Sequence, residues 1–181
     1  MSKKALKLLK KKMGEAILDT SNFRGDETAV VNAENILEVC QLLKDDEKLL
    51  FDMPIDVTCV DYLKYPEEKQ HRFEVVYHFR SSKHNHRIRL KVPLEGDSPE
   101  LDSVTSVWRG VNWFEREVFD MFGVRFKGHP NLKRILLYEE FQGHPLRKDY
   151  PLKGHQPLIP MPNIKKDKLP SDLFDAGKDG K

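Results

Sequence analysis

Three successive stretches of this sequence alternate apolar and polar side chains with a period of two, which limits the chain to folds that contain a sheet. The apolar positions of the three stretches are Ile55, Val57 and Cys59; Phe73, Val75, Tyr77 and Phe79; and Ile88, Leu90 and Val92. Strands with one buried and one solvated face have this period. Because the links at 65–70 and 81–85 are short and polar, we predict an antiparallel meander.

Helical spacing of apolar residues appears before these strands. A basic amphipathic helix is predicted over residues 3–17, and its apolar stripe consists of Leu6, Leu9, Met13 and Ile17. A short strand at 29–31 follows a turn at Gly25. A second helix then begins after Asn32, a good N-cap residue, and its apolar stripe consists of Ile36, Val39, Cys40 and Leu43.

A third helix is predicted over residues 111–122, after a loop that contains Pro93 and Pro99. Its stripe consists of Val111, Phe114, Val118 and Met121, and Gly123 stands where a helix commonly ends in a left-handed residue. Helices that pack on an antiparallel sheet form a two-layer arrangement. We therefore predict one α+β domain over residues 1–127.

Beyond residue 127 the periodicity is lost and most of the eleven prolines occur. A segment of this kind buries too little apolar surface to fold alone. We therefore predict that residues 128–181 form an extended, proline-rich tail that docks on a partner and is ordered only there. Residues 152–181 are expected to be disordered in the isolated chain. The polar run 147–149 needs partners if it is buried.

The charge pattern gives no support to nucleic-acid binding. The formal net charge is only +2, and the basic residues cluster along the strands at Arg72, Arg80, Lys83, Arg87, Arg89 and Lys91. The nearby aromatic residues Phe73, Tyr77 and Phe79 share the phase of the core positions, so they point away from the basic face. An RNA-binding sheet needs both on one face. We interpret the basic face as a solvated or partner-facing surface.

Cofactor motifs are missing from the sequence. The two cysteines, Cys40 and Cys59, are in apolar runs and form no CxxC pair, and cysteine-held iron–sulfur and zinc sites need more thiolates. No P-loop or GxGxxG sequence is present. We expect small buried thiols and no nucleotide site.

The densest group of charges lies on the third helix, at Glu115, Arg116, Glu117 and Asp120. Adjacent helical residues point about 100° apart, so the two glutamates cannot converge on one atom. Arg116 and Asp120 are four residues apart, and we predict that they pair with each other. We interpret the group as structural ion pairing; a catalytic role and a proton-handling or regulatory role are the alternatives.

Three histidines, His129, His144 and His155, follow glycine in the proline-rich region. Histidines can hold a metal, but these lack nearby cysteines or a paired HxH spacing. A structural role is the favoured interpretation. The alternative is an independent metalloenzyme that uses these histidines with Glu115 or Glu117.

Two motifs lie in order across the end of the domain and the start of the tail. The first comprises Glu115-Arg116-Glu117, Asp120, His129, Lys133 and Ile135-Leu136, and the second is Gly143-His144-Pro145-Leu146-Arg147-Lys148-Asp149-Tyr150-Pro151. Together they resemble the signatures of the complex I 30 kDa subunit family, also called the C-subunit family, of NADH:quinone oxidoreductases. With similar preceding elements, such as Val60-Asp61-Tyr62, the resemblance covers roughly residues 15–152.

The resemblance implies a non-catalytic, cofactor-free subunit of the peripheral arm of a proton-translocating oxidoreductase. Its partners would be the large 49 kDa-type subunit, near the quinone-reducing end, and other peripheral-arm subunits. FMN, iron–sulfur clusters and quinone would belong to those partners. The chain would lie on the cytoplasmic side of the bacterial inner membrane and contact it only through the complex. A related membrane-bound hydrogenase or other complex I-like assembly is the alternative.

The residues matched to the two motifs are the candidates for docking to a partner. They are Glu115, Arg116, Glu117, Asp120, His129, Arg134, His144, Arg147, Lys148, Asp149 and Tyr150. No catalytic, cofactor-binding or metal-binding residue is expected in this chain.

Overall fold

A computed structural model describes residues 3–67, 69–154, 156 and 157. Its helices are α1 (Lys3–Lys12), α2 (Ile36–Asp45) and α3 (Asn112–Phe122). Its strands are β1 (Ile17–Phe23), β2 (Asp26–Val31), β3 (Met53–Asp61), β4 (Phe73–Ser81), β5 (His86–Leu94), β6 (Glu100–Asp102) and β7 (Arg125–Lys127). Short 3₁₀ turns at Gly14–Ala16, Ala33–Asn35 and Arg109–Val111 join these elements.

The main sheet has five strands in the order β1-β2-β5-β4-β3. Strands β3, β4 and β5 form the predicted antiparallel meander, and β1 is antiparallel to β2. Strand β2, however, runs parallel to β5, so the sheet is mixed. Helix α1 packs against β2 and α3 packs against β3. The α+β prediction is confirmed, with a mixed rather than a purely antiparallel sheet.

The core lies between the helices and one face of this sheet. Tyr77 and Leu90 are fully buried, and the ring of Phe79 stacks on Trp108 with centroids 4.5 Å apart. The indole Nε1 of Trp108 donates to the carbonyl oxygen of Phe51 at 3.1 Å. The predicted stripe of α2 is confirmed, because all four of its apolar residues are buried. Asn32 accepts a hydrogen bond from the Glu34 amide, although it caps the 3₁₀ turn that precedes α2.

The N-terminal region differs from its prediction. Helix α1 ends at Lys12, and Ile17 begins a strand instead of closing the helix. Strand β1 forms a hairpin with β2, and the turn uses positive φ angles of 54° at Arg24 and 94° at Gly25. Most residues of β1 are exposed because it is an edge strand, so it lacks the alternation by which the inner strands were found.

Strand β3 also departs from strict alternation. Its pairing with β4 shifts between Pro54 and Asp56, which places Ile55 at the irregularity. Ile55 is 45% exposed, whereas Val57 and Cys59 are buried as predicted. An extra residue at a bulge reverses the phase of what precedes it. The assignment of Ile55 to the core was therefore wrong.

The inner strand β4 is buried on both faces over its first half, whereas one solvated face was predicted. Glu74 and Val76 are buried despite their outward phase. The Glu74 carboxylate accepts hydrogen bonds from the Tyr62 hydroxyl at 3.0 Å and the Lys91 ammonium at 2.7 Å. Lys91 alternates with buried residues of β5, as do Arg87 and Arg89, so the predicted basic face is confirmed.

From residue 128 to residue 154 the chain has no helix or strand and lies along the domain. Its backbone joins the domain directly, for example where the Leu146 amide donates to the Met121 carbonyl at 3.1 Å. Within the described ranges, no helix is long and apolar enough to cross a membrane. We refer to residues 128–154 below as the extended segment. The boundary predicted at residue 127 stays a prediction, and residues 158–181 lie outside the description.

Because of the bulge in β3, truncation of two isoleucines in the same sheet should lower the free energy of unfolding by very different amounts. Ile88→Ala removes a side chain that is only 2% exposed and should lower the free energy of unfolding by about 2–5 kcal/mol. Ile55→Ala removes an exposed side chain and should change it by less than about 0.5 kcal/mol. Urea denaturation of the two variants measures this difference. Equal losses would show that Ile55 belongs to the core.

Candidate partner-docking site

Helix α3 carries the first part of the first motif, up to Asp120, and ends where the second motif approaches it. Gly123 terminates the helix with φ +76°, a left-handed conformation that side chains disfavour. A Cβ at this position would also lie 2.6 Å from His144 ring atoms and 2.7 Å from Nη2 of Arg147. Glycine is therefore needed here both for the turn and for the close approach of the extended segment.

The carboxylate of Asp120 holds the start of the extended segment. Asp120 is fully buried, and its Oδ2 accepts hydrogen bonds from three consecutive amides, those of Ile135, Leu136 and Leu137, at 2.8–2.9 Å. Its Oδ1 lies 2.7 Å from Nη1 of Arg134. Burial alone would raise the pKa of Asp120, but these donors outweigh it and lower the pKa below its ordinary value. The carboxylate therefore stays charged at neutral pH.

Arg134 extends this attachment farther along the chain. Its Nη2 donates to the carbonyl oxygens of Phe141 and Gly143, both at 3.0 Å. Its guanidinium also lies 5.7 Å from the centre of the Phe141 ring. One arginine thus joins a buried acid of α3 to two points of the extended segment.

The predicted pair between Arg116 and Asp120 is not formed. Arg116 instead donates to the carbonyl oxygens of Lys133 and Arg134, each at 3.0 Å, and covers the Trp113 ring at 5.1 Å. Asp120 lies on the buried side of α3 and its oxygens are occupied by Arg134 and the amides. The predicted pair was wrong: Arg116 and Asp120 have the spacing of a helical ion pair, but Arg134 and the three amides bind the carboxylate instead.

The two described histidines of the candidate set bind backbone groups. Nε2 of His129 lies 3.2 Å from the Asn112 carbonyl oxygen, and its Nδ1 accepts from the Asn131 amide. Nδ1 of His144 lies 2.9 Å from the Asp120 carbonyl oxygen. Burial lowers the pKa of both rings. His155 lies outside the described residues, and within them no group of three or more His, Cys, Asp or Glu side chains could hold a metal.

A second buried acid, Asp61 at the end of β3, holds the far part of the extended segment. Its Oδ2 accepts from the amide of Lys148 at 2.8 Å, and Arg72 lies 3.3 Å from both of its oxygens. Arg72 also pairs with Asp149 at 2.7 Å and with Asp97. Sequence reasoning did not select Asp61, although it continues the buried phase of Val57 and Cys59. An acidic residue at a strand position that the alternation assigns to the core was the signal that could have found it.

The polar run 147–149 thus finds its partners within the chain, whereas it was expected to need another protein. Nε of Arg147 donates to the carbonyl oxygen of Phe122, and its Nη1 to that of Asp97 at 3.1 Å. Its guanidinium lies 5.1 Å from the centre of the Phe73 ring. Tyr150 packs its ring on Phe141, with centroids 6.2 Å apart.

Glu115 and Glu117 have opposite surroundings, although they are two residues apart. Glu115 is fully buried and accepts from the Ser103 hydroxyl at 2.6 Å and the Val104 amide at 2.9 Å. Because burial outweighs these two donors, the pKa of Glu115 rises to about 7. Glu117 is exposed and forms no salt bridge with another described residue.

With its polar groups bound inward, the extended segment presents apolar side chains outward. Leu136 is 63% exposed, Leu146 is 49% exposed and Leu152 is fully exposed. Trp113 on α3 is also largely exposed. Large apolar side chains gathered on one segment are typical of protein interaction surfaces. The described candidate residues do not converge on a common point as catalytic groups would. Together they form a surface with exposed apolar side chains.

Comparison with known sequences identifies one family. Residues 29–156 match the family described as the 30 kDa subunit of respiratory-chain NADH dehydrogenase. The C subunit of the NADH-quinone oxidoreductase of Citrifermentans bemidjiense is 48% identical over 151 residues, which cover 83% of this chain and 90% of that protein. The C subunit of the same enzyme from Roseiflexus sp. (strain RS-1) is 46% identical over 151 residues, 83% of this chain and 84% of that protein.

Solved structures give the same fold. The trypsin-resistant fragment of Nqo5 aligns with a TM-score of 0.63 and 30% identity, covering 71% of this chain and 98% of the fragment. A chain of an archaeal membrane-bound sulfane sulfur reductase aligns with a TM-score of 0.65 over 98% of this chain and 96% of that chain. At 22% identity, the second likeness concerns the fold alone.

The attachment at Asp120 predicts a large effect of a small chemical change. Asp120→Asn removes the charge that Arg134 and three amides share, and should lower the free energy of unfolding by about 3–5 kcal/mol. Hydrogen exchange at the amides 135–137 should accelerate as well. The control is Glu117→Gln, an exposed carboxyl on the same helix, which should cost less than about 0.5 kcal/mol. Unchanged exchange in Asp120→Asn would refute the attachment.

Burial of Glu115 predicts that stability falls as pH rises. Its folded pKa of about 7 lies above its ordinary value of 4.5, so its contribution is complete below pH 4.5 and is lost as pH rises through 7. The full loss amounts to about 3 kcal/mol. Glu115→Gln keeps an acceptor for Ser103 and Val104 but cannot titrate, so the difference between variant and wild type should change by most of this amount between pH 5 and pH 8. Denaturant titrations across that range would measure it; a constant difference would contradict it.

Proposed function

Because the chain belongs to the family of the 30 kDa subunit of respiratory-chain NADH dehydrogenase, we propose that it is a non-catalytic docking subunit of an NADH:quinone oxidoreductase. In this proposal it binds the large 49 kDa-type subunit of the peripheral arm, near the quinone-reducing end. FMN, iron–sulfur clusters and quinone are held by the partners. The chain lies on the cytoplasmic side of the membrane and contacts it only through the complex.

The observation that carries this proposal is that the extended segment binds the domain through its polar groups and exposes apolar side chains on its other side. Its polar anchors bind inward, to Asp120 at one end and Asp61 at the other. Leu136, Leu146 and Leu152 point outward, where a partner can cover them, while Leu132 and Leu137 pack against the core. A segment already held in one conformation loses less entropy on binding than a free tail does. The domain therefore acts as a scaffold that presents a prepared docking surface.

The candidate docking residues divide into two groups under this proposal. Side chains that are engaged within the chain set the course of the extended segment: Arg116, Asp120, His129, Arg134, His144, Arg147 and Tyr150. Glu115 supports α3 from the core. Asp149 is exposed but pairs with Arg72 within the chain, whereas Glu117 and Lys148 are exposed and are left to contact the partner directly.

We expect charged substitutions of the outward leucines to weaken docking without unfolding the chain. In Leu136→Asp and Leu146→Asp, an aspartate would be buried against the partner, which should cost about 2 kcal/mol or more of binding free energy and lower recovery of the large subunit. The melting temperature of each isolated variant should change little, because both side chains are exposed in the single chain. Co-purification of the large subunit with each variant measures the effect.

Leu18→Asp is the matched control, since Leu18 is a similarly exposed leucine on β1, outside the extended segment. It should recover the large subunit as wild type does. Equal recovery with all three variants would show that the outward leucines do not dock. The isolated chain should neither oxidise NADH nor reduce quinone, and turnover of either substrate by the pure protein would overturn the non-catalytic assignment.

A further inference from the structure

The face of the sheet opposite the core carries four basic groups in a compact square. Arg80 on β4 lies directly opposite Arg87 on β5, and His78 lies directly opposite Arg89 in the next row. These positions share one face because both pairs are in the outward phase of their strands. Like charges placed directly opposite each other on neighbouring strands repel. The Arg80–Arg87 pair is therefore unfavourable as it stands, whereas burial and the charge of Arg89 lower the pKa of His78 and favour its neutral form.

The three arginines of the square form no salt bridge with a described carboxylate. Arg80 donates to the side-chain oxygen of Asn85 at 2.9 Å, and Arg89 donates to the Thr28 hydroxyl at 3.3 Å; both acceptors are uncharged. The pKa of Asp52 is lowered mainly by hydrogen bonds from Ser82, and the charge of Arg80 contributes least. The Arg87 side chain is exposed and has no described partner.

The same face also contains a basic residue whose charge is paired. Lys91, two residues beyond Arg89, pairs with Glu74 at 2.7 Å. The contrast between the paired lysine and the unpaired arginines is confined to one end of the sheet, next to the β4–β5 turn. The anchors of the extended segment, Asp61 and Arg72, lie near the other end of these strands. At roughly 3.3 Å per residue, Arg80 is about 23 Å along β4 from Phe73.

The four basic groups line a cleft of about 350 Å³. Asp26, Glu27 and Ile55 contribute to its wall, together with Phe79 and Ile88. Asp56 on β3 lies directly opposite His78, so carboxylates are interleaved with the arginines, but neither Asp26 nor Asp56 forms a salt bridge with Arg80, Arg87 or Arg89 among the described residues. The three guanidinium groups are therefore open to carboxylates of another chain. Ile55 and the nearby Met53 are exposed on β3, the edge strand next to β4. Cationic and apolar contacts are thus available side by side.

We propose that this cleft is a second protein-binding surface, which takes an acidic segment of a partner through its carboxylates. The arginine fork matches a carboxylate in two parallel hydrogen bonds, so Arg80, Arg87 and Arg89 suit aspartate or glutamate side chains. Apolar side chains beside those acids would cover Ile55 and Met53. A nucleic acid fits less well, since the aromatic rings of this sheet point into the core. This surface is separate from the extended segment.

The test uses the full chain and an octaglutamate peptide as the probe. Binding is measured by calorimetry at low ionic strength, for wild type and for the variant Arg87→Gln/Arg89→Gln. We expect the double variant to bind the peptide roughly tenfold more weakly, because two charge pairs at a partly exposed site contribute about that much. The control, Lys11→Gln/Arg125→Gln, removes two positive charges from exposed positions on α1 and β7 and should bind as wild type does.

Equal affinity in the double variant, or no binding to wild type, would overturn the proposal. Inorganic phosphate and phosphatidylglycerol vesicles are run in parallel. Tighter binding of phosphate, or vesicle binding that depends on the same arginines, would assign the cleft to a small oxyanion or a membrane surface instead. Should the double variant fail to fold, Arg87→Gln alone decides, since the Arg87 side chain has no described partner to lose.

Discussion

A buried charge on α3 determines how the second half of the chain is arranged. The Asp120 carboxylate lies out of water, and an isolated charge there would cost far more than a folded domain can offset. It is tolerated because three amides and Arg134 surround it. These donors all belong to the extended segment, so α3 can pack as it does only when that segment is in place. The dependence is mutual, since the segment has no helix or strand to satisfy its own amides.

Two such anchors, rather than one, make the extended segment a defined surface. Asp120 holds its first part and Asp61 its last, and each anchor includes a backbone amide as well as an arginine. Backbone anchors fix the path of the chain whatever the side chains do, which leaves Leu136, Leu146 and Leu152 free to face outward. The same reasoning explains Gly123, where any side chain would separate α3 from His144 and Arg147. A surface prepared in this way is consistent with a subunit whose work is assembly.

Periodicity predicted the elements that bury a regular stripe, and failed where hydrogen bonds decide the structure. Helix α2 and strand β5 have clean apolar patterns, and their buried faces are as predicted. Strand β1 was missed because an edge strand that is exposed on most positions has no pattern to detect. The Arg116–Asp120 pair was predicted from spacing alone, but a carboxylate can be claimed by amides that are distant in sequence. Such donors cannot be found from local patterns.

The two buried acids of α3 show why carboxyl groups at neighbouring positions can have opposite chemistry. Asp120 has four donors, one of them a guanidinium, and its pKa falls; Glu115 has two neutral donors, and its pKa rises to about 7. Tyr77, buried nearby in the core, has a hydroxyl with no hydrogen-bond partner among the described residues, so it does not help to hold a charge on Glu115. The number and charge of the donors, rather than burial alone, decide whether a buried carboxyl ionises. In one helix, a charged acid therefore anchors the extended segment, while an acid that is largely protonated below neutral pH packs within the core.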